Sequence, residues 1–469
     1  MDPIEALNPL DGRYCQQTEV LSQFFSERAL MEYRVRVESA YLIALSEHEE
    51  TDVRVFSEEE KVFVKSLAKL SFTDVKLIKA IETKGFKDVK ATKHDVKAVE
   101  YFVREKLKGT SLNDCVEWVH FGLTSEDVNN IAYGLMLSDG VSNVVMPRIK
   151  ELSDVLEGLA LEYGDVPMLA RTHGQPASPT TVGKEFQVFA SRIKRQQAQL
   201  EMHEVLVKLN GASGNYNAHV AAYPNIDWVG FSKEFIDGFN NERMIKLRPN
   251  LVTTQIEPHD TYAELFDVLR RINVIVLDVN QDMWRYVSDD WFRQKVKEGE
   301  VGSSTMPHKV NPIDFENSEG NLGIANALLS YFSTKLPVSR LQRDLSDSTV
   351  ERNFGVALGY CLVGYTSTLK GLEKVAVNKE KIQEELENHP EVIAEALQTI
   401  LRREGQTASY ELLKDLTRGK KVSLQDIHAF VDGLCVSEEL KKELKQITPA
   451  TYVGLAAVLG KRRFEEKKQ

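Results

Sequence analysis

The sequence predicts a mainly α-helical protein, with three helical domains of which the central one is a bundle of long helices. Apolar residues recur in alternating steps of three and four over long stretches of the chain. Extended runs are scarce, and residues 244–256 are the best candidate for a strand or a short hairpin. A length of 469 residues has room for about three domains.

Five stretches predict the long helices. Residues 145–159 and 265–286 each place their apolar side chains on one helical face. Helical character is also present in residues 184–209, 321–336 and 355–375. Helices of this length span about 30 Å or more, and several have apolar residues on more than one face. We therefore expect identical chains to associate through the bundle.

Gly355, Gly359 and Gly364 bear on this association, because a residue without a side chain lets helices approach closely. The close approach can occur between chains or within one chain, and periodicity alone does not separate the two. Shorter amphipathic helices flank the bundle. We expect an N-terminal helical domain at residues 1–123, the central bundle at 124–364 and a C-terminal helical domain at 365–469.

Composition and charge exclude several classes of protein. The chain has 59 Lys and Arg against 70 Asp and Glu, a net charge of −11, which argues against a nucleic-acid or anionic-membrane surface. Its four cysteines include no C-x-x-C pair, so neither a disulfide framework nor a zinc ribbon is indicated. Residues 1–14 lack the features of a secretory signal. We expect a cytoplasmic protein.

Four polar segments interrupt the helical pattern and are the candidates for chemistry. Residues 302–312, GSSTMPHKVNP, offer many backbone and hydroxyl donors to a carboxylate or phosphate, although an ordinary polar loop has about equal weight. In residues 171–181, RTHGQPASPTT, His173 is expected on a loop at a helix end. There it could transfer a proton near neutral pH, but a lone loop histidine is more often a surface residue.

The other two segments open helices. In residues 120–127, HFGLTSED, Thr124 or Ser125 can cap the helix that follows, and its free N–H groups would still bind an anion. In residues 92–97, His94 lies between two lysines near a helix start. It is either an anion contact or part of a solvated basic turn.

Arg340, Arg343 and Arg352 cluster around small hydroxyl residues, a combination that suits phosphate recognition. A loop held by ion pairs with Asp344 and Asp347 explains the same cluster about equally well. Nucleotide-binding glycine loops, a nucleophile elbow and a histidine pair at metal-ligand spacing are all missing from the sequence. We expect no metal and no cofactor, and acid–base chemistry on an anionic small molecule.

The segment GSSTMPHKVNP resembles the signature loop of the fumarase/aspartase superfamily. The motifs NPLDGRY, KHDVKAVEYF, HFGLTSED, RTHGQPASPTT, TTQIEPHD and SRLQRDLSDSTVERN are similar to one branch of it, the bacterial adenylosuccinate lyase family. The resemblance covers nearly the whole chain. It implies a homotetramer in which each active site is shared between subunits, and a C–N lyase that releases fumarate from adenylosuccinate and from SAICAR.

The resemblance also assigns roles to individual residues. It makes Ser303 the base and His173 the general acid, whereas the residue types alone would favour histidine as the base. The expected substrate-binding residues are Arg13, Tyr14, Lys93, His94, Asp95, Thr124, Ser125, Gln255, Lys309, Asn311, Arg343, Ser348 and Arg352. Lys93 departs from the family pattern, which often has a small polar residue there, and it adds a positive charge beside the nucleotide site.

Two rival functions remain. Argininosuccinate lyase and aspartase share the signature loop but need no phosphate pocket, so Arg343, Ser348 and Arg352 argue for a nucleotide substrate. A catalytically silent helical tetramer, like the lens crystallins derived from this superfamily, is a second alternative. The presence of both Ser303 and His173 argues against it.

Overall fold

The computed structural model describes residues 2–241, 243–295, 306, 309–407, 411, 413–414, 416, 419 and 422–462. The protein is mainly α-helical, as predicted. It divides into two compact units. Unit 1 comprises residues 1–148, 196–274 and 320–364, and unit 2 comprises residues 149–195, 275–319 and 365–469. The three domains expected from the sequence, with boundaries at 123/124 and 364/365, stay a prediction.

Helices account for most of the described chain. In chain order the α-helices are α1 (Cys15–Thr18), α2 (Ser22–Phe25), α3 (Glu27–Glu47), α4 (Glu58–Ser66), α5 (Phe72–Thr83), α6 (Asp95–Leu107), α7 (Ser125–Gly140), α8 (Met146–Glu162), α9 (Val182–Glu201), α10 (Asn217–Ala222), α11 (Trp228–Asp237), α12 (Asp260–Ser288), α13 (Ile313–Lys335), α14 (Ser346–Glu351), α15 (Phe354–Lys374), α16 (Lys379–Glu387), α17 (Ala394–Arg403), α18 (Leu424–Asp432), α19 (Glu438–Lys445) and α20 (Ala456–Gly460). A π-helical turn, Val141–Val145, joins α7 to α8.

The described strands form four two-stranded ladders. They are β1 (Gly85–Phe86) with β2 (Val89–Lys90), β3 (Pro167–Thr172) with β4 (Gln175–Thr181), β5 (Glu204–Val207) with β6 (Lys246–Pro249), and β7 (Phe292–Gln294) with β8 (Val375–Val377). Three of the ladders are antiparallel, and the pairing of β5 with β6 is parallel.

The core of unit 1 is built around α3 and α7. Ser26 caps α3, since its side chain accepts a hydrogen bond from the backbone N–H of Ala29 at 3.1 Å. Leu30, Val37 and Tyr41 lie on the buried face of that helix. Nearly every side chain of α7 is buried, so it lacks the one-sided periodicity that marked the other long helices.

Unit 2 contains a closed polar triangle among α12, α13 and α15. The Asn280 amide donates to the Ser318 hydroxyl at 2.9 Å and accepts from the Thr368 hydroxyl at 2.9 Å. Ser318 and Thr368 lie 2.8 Å apart, and all three side chains are fully buried. Because every member of the triangle is hydrogen-bonded to the other two, the buried polar groups fix the register of the three helices.

Four of the five predicted long helices are confirmed, as α8, α12, α13 and α15. The fifth prediction, at residues 184–209, is confirmed up to Glu201, where α9 ends, and is wrong for residues 202–209, which include β5. The predicted strand in residues 244–256 is confirmed by β6, but its partner is the distant β5 and the pair is no hairpin.

The three glycines of α15 pack within one chain. A Cβ atom at Gly355 would lie 2.5 Å from Phe25, one at Gly359 would lie 2.8 Å from Leu10, and one at Gly364 would lie 2.5 Å from Leu322. These glycines therefore make room for side chains of the same chain, which confirms the alternative in which the close approach occurs within one chain.

The four cysteines, Cys15, Cys115, Cys361 and Cys435, form no disulfide, as the sequence predicted. Across the described residues, none of the helices combines the length and the apolar character needed to cross a bilayer.

Candidate active site

The predicted site residues divide between the two units. Those in unit 1 are Arg13, Tyr14, Lys93, His94, Asp95, Thr124, Ser125, Gln255, Arg343, Ser348 and Arg352, and those in unit 2 are His173, Lys309 and Asn311. Ser303, the predicted base, lies outside the described residues.

His94 and Asp95 begin helix α6. His94 is the N-cap residue, and its Nδ1 atom accepts a hydrogen bond from the backbone N–H of Lys97 at 3.2 Å. Lys93, just before it, has a φ of +51°, and its ammonium donates to the Thr83 carbonyl at 2.9 Å. The expectation that His94 lies at a helix start is confirmed.

Asp95 is the centre of an ion-pair triad. Its Oδ2 atom lies 2.9 Å from a guanidinium nitrogen of Arg34 and 2.8 Å from one of Arg352. Burial alone would raise the pKa of Asp95, but the two guanidinium groups outweigh that effect and hold the pKa well below its usual range. The triad joins the start of α6 to the end of α14.

Arg34 was missed by the sequence analysis. Its side chain is 4% exposed, and its Nε atom donates to the Asn129 side chain of α7 at 2.8 Å. One sequence signal could have found it, because Arg34 occupies a position on the apolar face of α3, four residues after Leu30. A charged residue at a core position usually has a paired role.

Thr124 and Ser125 lie at the start of α7, where Thr124 is the N-cap residue, as one of the two alternatives predicted. The backbone N–H of Thr124 donates to the Asp127 carboxylate at 2.9 Å. The Thr124 side chain in turn accepts a hydrogen bond from the Asp127 backbone N–H. This pair of bonds is a capping box, and it fixes the first turn of the helix. Ser125 is the first helical residue, so its N–H belongs to the helix end that favours anions.

Arg343 is held between two segments that are distant in sequence. One guanidinium nitrogen lies 3.1 Å from the Glu126 carboxyl group, and another donates to the Gln255 side-chain oxygen at 3.2 Å. The Gln255 amide in turn donates to the Ala212 carbonyl at 2.9 Å. These contacts bring together the predicted residues at the start of α7, in the segment before α12 and in the segment before α14.

The alternative explanation for the arginine cluster, ion pairs with Asp344 and Asp347, holds only for Arg340. Its guanidinium lies 3.2 Å from the Asp344 carboxylate, with 84% of the Arg340 side chain exposed. Arg343 and Arg352 instead contact the carboxyl groups of Glu126 in α7 and Asp95 in α6. Asn129 links the two arginines within unit 1, because its amide lies 3.5 Å from Glu126 and its oxygen accepts from Arg34, which pairs with Asp95.

Three further predicted contacts lie in the same unit. Ser348 is in α14, and its hydroxyl lies 3.3 Å from the Asp347 carboxylate. Arg13 is exposed in the turn before α1, and Tyr14 occupies the N-cap position of that helix. Their roles as nucleotide contacts stay predictions.

In unit 2, His173 lies at the tip of the β3–β4 hairpin. His173 has a φ of +53° and Gly174 a φ of +74°, and the flanking residues Thr172 and Gln175 are paired. Two consecutive positive φ angles are typical of the tight turn that joins antiparallel strands. The prediction of a loop at a helix end is wrong, because the residues on either side of His173 form paired strands. The prolines in this segment argued against a strand in the sequence. His173 is exposed, as expected.

Lys309 and Asn311 precede α13. The backbone N–H of Lys309 donates to the Met306 carbonyl at 3.0 Å, and the Lys309 side chain is exposed while Asn311 is half-buried. Within the ranges that the structure describes, His, Cys, Asp and Glu side chains form no group of three or more placed to hold a metal ion.

The unit 1 cluster is suited to binding an anion. Two guanidinium groups, the N-terminus of α7 and the hydroxyl groups of Thr124 and Ser125 provide charged and neutral donors, the combination that phosphate and carboxylate groups require. His173 on the exposed hairpin of unit 2 can transfer a proton.

Comparison with known proteins identifies the family. Residues 12–326 match the family described as Lyase, and residues 339–453 match the one described as Adenylosuccinate lyase C-terminal. The chain is 47% identical to adenylosuccinate lyase of Escherichia coli (strain K12) and 49% identical to that of Haemophilus influenzae, with 98% of each chain covered. The adenylosuccinate lyase of Dictyostelium discoideum is 46% identical over 97% of each chain.

Solved structures show the same fold at lower identity. A fumarate lyase from Mesorhizobium sp. BNC1 has a TM-score of 0.70 at 18% identity, covering 94% of this chain and 96% of that one. A 3-carboxy-cis,cis-muconate lactonizing enzyme from Pseudomonas putida has a TM-score of 0.69 at 20% identity, covering 94% and 95%. With the matches over nearly its full length, the chain belongs to the adenylosuccinate lyase family of the fumarase/aspartase superfamily.

Proposed function

We propose that the chain eliminates fumarate from adenylosuccinate, giving AMP, and from SAICAR, giving AICAR, in purine nucleotide biosynthesis. The observation that carries this proposal is the identity of 47% to 49% with relatives named adenylosuccinate lyase over 98% of the chain. The arginine cluster of unit 1 supports it, because a nucleotide substrate brings a phosphate that two guanidinium groups can bind.

The reaction needs two groups that act on opposite sides of the substrate. A base removes a proton from the succinyl carbon next to a carboxylate, and the charge spreads into that carboxylate before the C–N bond breaks. We assign the base to Ser303 and the general acid that protonates the leaving nitrogen to His173. Lys309 and Asn311 bind the succinyl carboxylate and stabilise the carbanion form.

The remaining residues bind the rest of the substrate. Thr124 and Ser125 receive the fumaryl carboxylate, and Gln255 lies next to the reacting group. The nucleotide and phosphate contacts are Arg13, Tyr14, Lys93, His94, Asp95, Arg343, Ser348 and Arg352. Among these, Asp95 acts on the phosphate indirectly, by holding Arg352, whose guanidinium lies 2.8 Å from its carboxylate.

We also propose a cytoplasmic homotetramer whose active sites are shared between subunits. Large apolar side chains remain exposed on the long helices α12 and α13, among them Val274 at 50%, Trp284 at 44% and Tyr331 at 53%. The exposed position of His173 fits a site that another chain completes, since proton transfer works best away from bulk water. Light scattering after size-exclusion chromatography tests the tetramer, and a monomer would contradict it.

The first test is the loss of adenylosuccinate absorbance on mixing with the purified protein, followed in parallel with argininosuccinate by fumarate release. We expect equimolar AMP and fumarate from adenylosuccinate and no fumarate from argininosuccinate. Fumarate from argininosuccinate alone would overturn the nucleotide substrate. Failure of both reactions would overturn the proposed activity.

Arg343→Met should raise the KM for adenylosuccinate roughly tenfold to 100-fold, because a charged hydrogen bond to the substrate phosphate is lost. Steady-state kinetics at several substrate concentrations measures the change. Arg340→Met is the matched control, since that side chain is 84% exposed and pairs only locally with Asp344. Equal effects of the two substitutions would contradict the assignment of Arg343.

Lys93→Asn should raise the KM about twofold at low salt and leave kcat unchanged, because one positive charge near the nucleotide is removed. Asparagine tolerates the positive φ of this position, so the backbone is expected to stay in place. The comparison is repeated at high salt, where screening should reduce the difference. A KM and a salt dependence equal to those of the wild type would show that Lys93 has no such role.

A further inference from the structure

A cluster of buried ionisable groups includes Glu126, which contacts Arg343. Neither the sequence motifs nor the proposed reaction gives this cluster a role. Glu126 is 1% exposed, Glu351 is 2% exposed and His259 is fully buried. His259 and Glu351 form an ion pair at 3.3 Å, and Glu126 contacts Arg343 at 3.1 Å. Burying this many charged groups is costly unless they are paired or neutralised by protonation.

We propose that Glu126 is a positioning residue for Arg343, and that its protonation sets the net charge which the Arg343 guanidinium offers to the substrate phosphate. The inference rests on the proposed function, because it takes Arg343 to be a phosphate contact. Glu126 itself touches no substrate in this proposal.

The geometry supports positioning. Glu126 and Gln255 each contact one terminal nitrogen of the Arg343 guanidinium. The Arg343 side chain is 16% exposed. Glu126 is in the first turn of α7, next to Ser125, so the same turn that presents its N–H groups to an anion also anchors the arginine. The second oxygen of the Glu126 carboxyl group is buried and has no hydrogen-bond partner among the described residues.

The surroundings favour a neutral Glu126 at pH 7. Burial, reinforced by the charge of Glu351, raises the pKa of Glu126 to about 8 even though Arg343 lowers it. Besides Arg343, the nearby charges of Glu351, Asp347 and His259 act on the Glu126 carboxyl group. The Asn129 amide also lies 3.5 Å from the Glu126 carboxyl group, and Asn129 is in turn bound to Arg34 of α3. The neighbouring Asp127 is paired with Lys208.

His259 completes the cluster. Burial alone would lower the pKa of its imidazole, but the ion pair with Glu351 and the charge of Glu257 raise that pKa to about 9. Near pH 7 His259 is therefore protonated beside Glu351, and the guanidinium of Arg343 contacts a neutral carboxyl group. Its positive charge remains available to an external anion.

Raising the pH changes this balance. Above about pH 8 the Glu126 carboxylate forms, pairs with Arg343 and competes with the phosphate for its charge. Binding of a phosphate-bearing ligand should weaken as the pH rises through this range. The affinity falls rather than rises with pH, because the deprotonated form of Glu126 is the one that attracts the guanidinium.

The test compares the tetramer of the wild type with Glu126→Gln and Glu126→Ala, by kinetics on adenylosuccinate and by calorimetric binding of AMP between pH 7 and 9.5. Glu126→Gln keeps a neutral hydrogen-bonding group, so its KM and the Kd for AMP should stay within about twofold of the wild type at pH 7. We expect the loss of AMP affinity above pH 8 to be several-fold smaller than in the wild type. Glu126→Ala should raise the KM roughly tenfold with little change in kcat, because the anchor of Arg343 is lost.

Glu117→Ala is the matched control, since Glu117 is 83% exposed and pairs with Arg104. Unfolding temperatures identify a variant that fails to fold, and Glu126→Gln then decides alone. Parallel pH profiles of AMP binding for the wild type and Glu126→Gln would overturn the inference. Absence of adenylosuccinate cleavage by the wild type would instead overturn the proposed function, so the two failures are distinguishable.

Discussion

His173→Asn should lower kcat on adenylosuccinate by about 100-fold to 10,000-fold, the range that a positioned general acid contributes. The KM should change little, because the imidazole acts on the leaving nitrogen rather than on the bulk of the substrate. Asparagine is chosen because it tolerates the φ of +53° at the tip of the β3–β4 hairpin, where most side chains would strain the backbone. Stopped-flow or steady-state absorbance measures the loss.

The control is His48→Asn, the same substitution at the end of α3, where the ring accepts a hydrogen bond from the Glu50 backbone. It should leave kcat within about twofold of the wild type. An equally small effect of His173→Asn would show that another group protonates the leaving nitrogen.

Mixing variants tests whether the sites are shared. Ser303→Ala should abolish turnover, since it removes the proposed base and little contact surface. If each site takes Ser303 and His173 from different subunits, mixed oligomers of the two inactive variants contain some sites with both residues intact. Activity should therefore return after subunit exchange. Its failure to return after confirmed exchange would contradict shared sites.

The fold was predictable where each element carries its own signal. The apolar face of α12 repeats over many turns, so local periodicity was enough to find that helix. The parallel pair β5 and β6 was not predictable, because the short stretch of β5 follows directly on α9 and its partner lies far along the chain. The hairpin with His173 at its tip was hidden by Pro176 and Pro179, which normally argue against a strand.

The candidate site was predictable as a set of segments but not as a set of contacts. Arg343 and Arg352 stood out by residue type, yet nothing local showed that their partners are Glu126 and Asp95. By residue type and position Glu126 is an ordinary first-turn acid, which a helix N-terminus favours. Its burial comes from the surrounding segments, which only the tertiary structure brings together.

Lys208→Met should destabilise the protein by about 3 to 5 kcal/mol, because it leaves a buried carboxylate without its partner. Lys208 follows β5 and is fully buried, and its ammonium lies 2.8 Å from the Asp127 carboxylate, which is also fully buried. The ammonium also donates to the Gly211 carbonyl at 2.9 Å. Thermal unfolding followed by circular dichroism measures the loss as a drop in Tm.

The same pair supports the candidate site. Asp127 accepts hydrogen bonds from the backbone N–H groups of Thr124, Asn210 and Gly211, at 2.9 Å, 3.1 Å and 3.1 Å. Removing Lys208 therefore disturbs the first turn of α7, where Thr124 and Ser125 are expected to bind a carboxylate. We expect the KM of Lys208→Met to rise even at temperatures where the protein stays folded.

Lys108→Met is the matched control, because its ion pair with Glu105 at 3.2 Å is on the surface and the Lys108 side chain is 54% exposed. Exposed pairs contribute about 0 to 1 kcal/mol, so its Tm should stay close to that of the wild type. Adding Asp127→Asn to Lys208→Met should recover part of the stability, since the unpaired charge is then removed. A double variant no more stable than Lys208→Met alone would show that the lost hydrogen bonds and packing, rather than the unpaired carboxylate, cause the destabilisation.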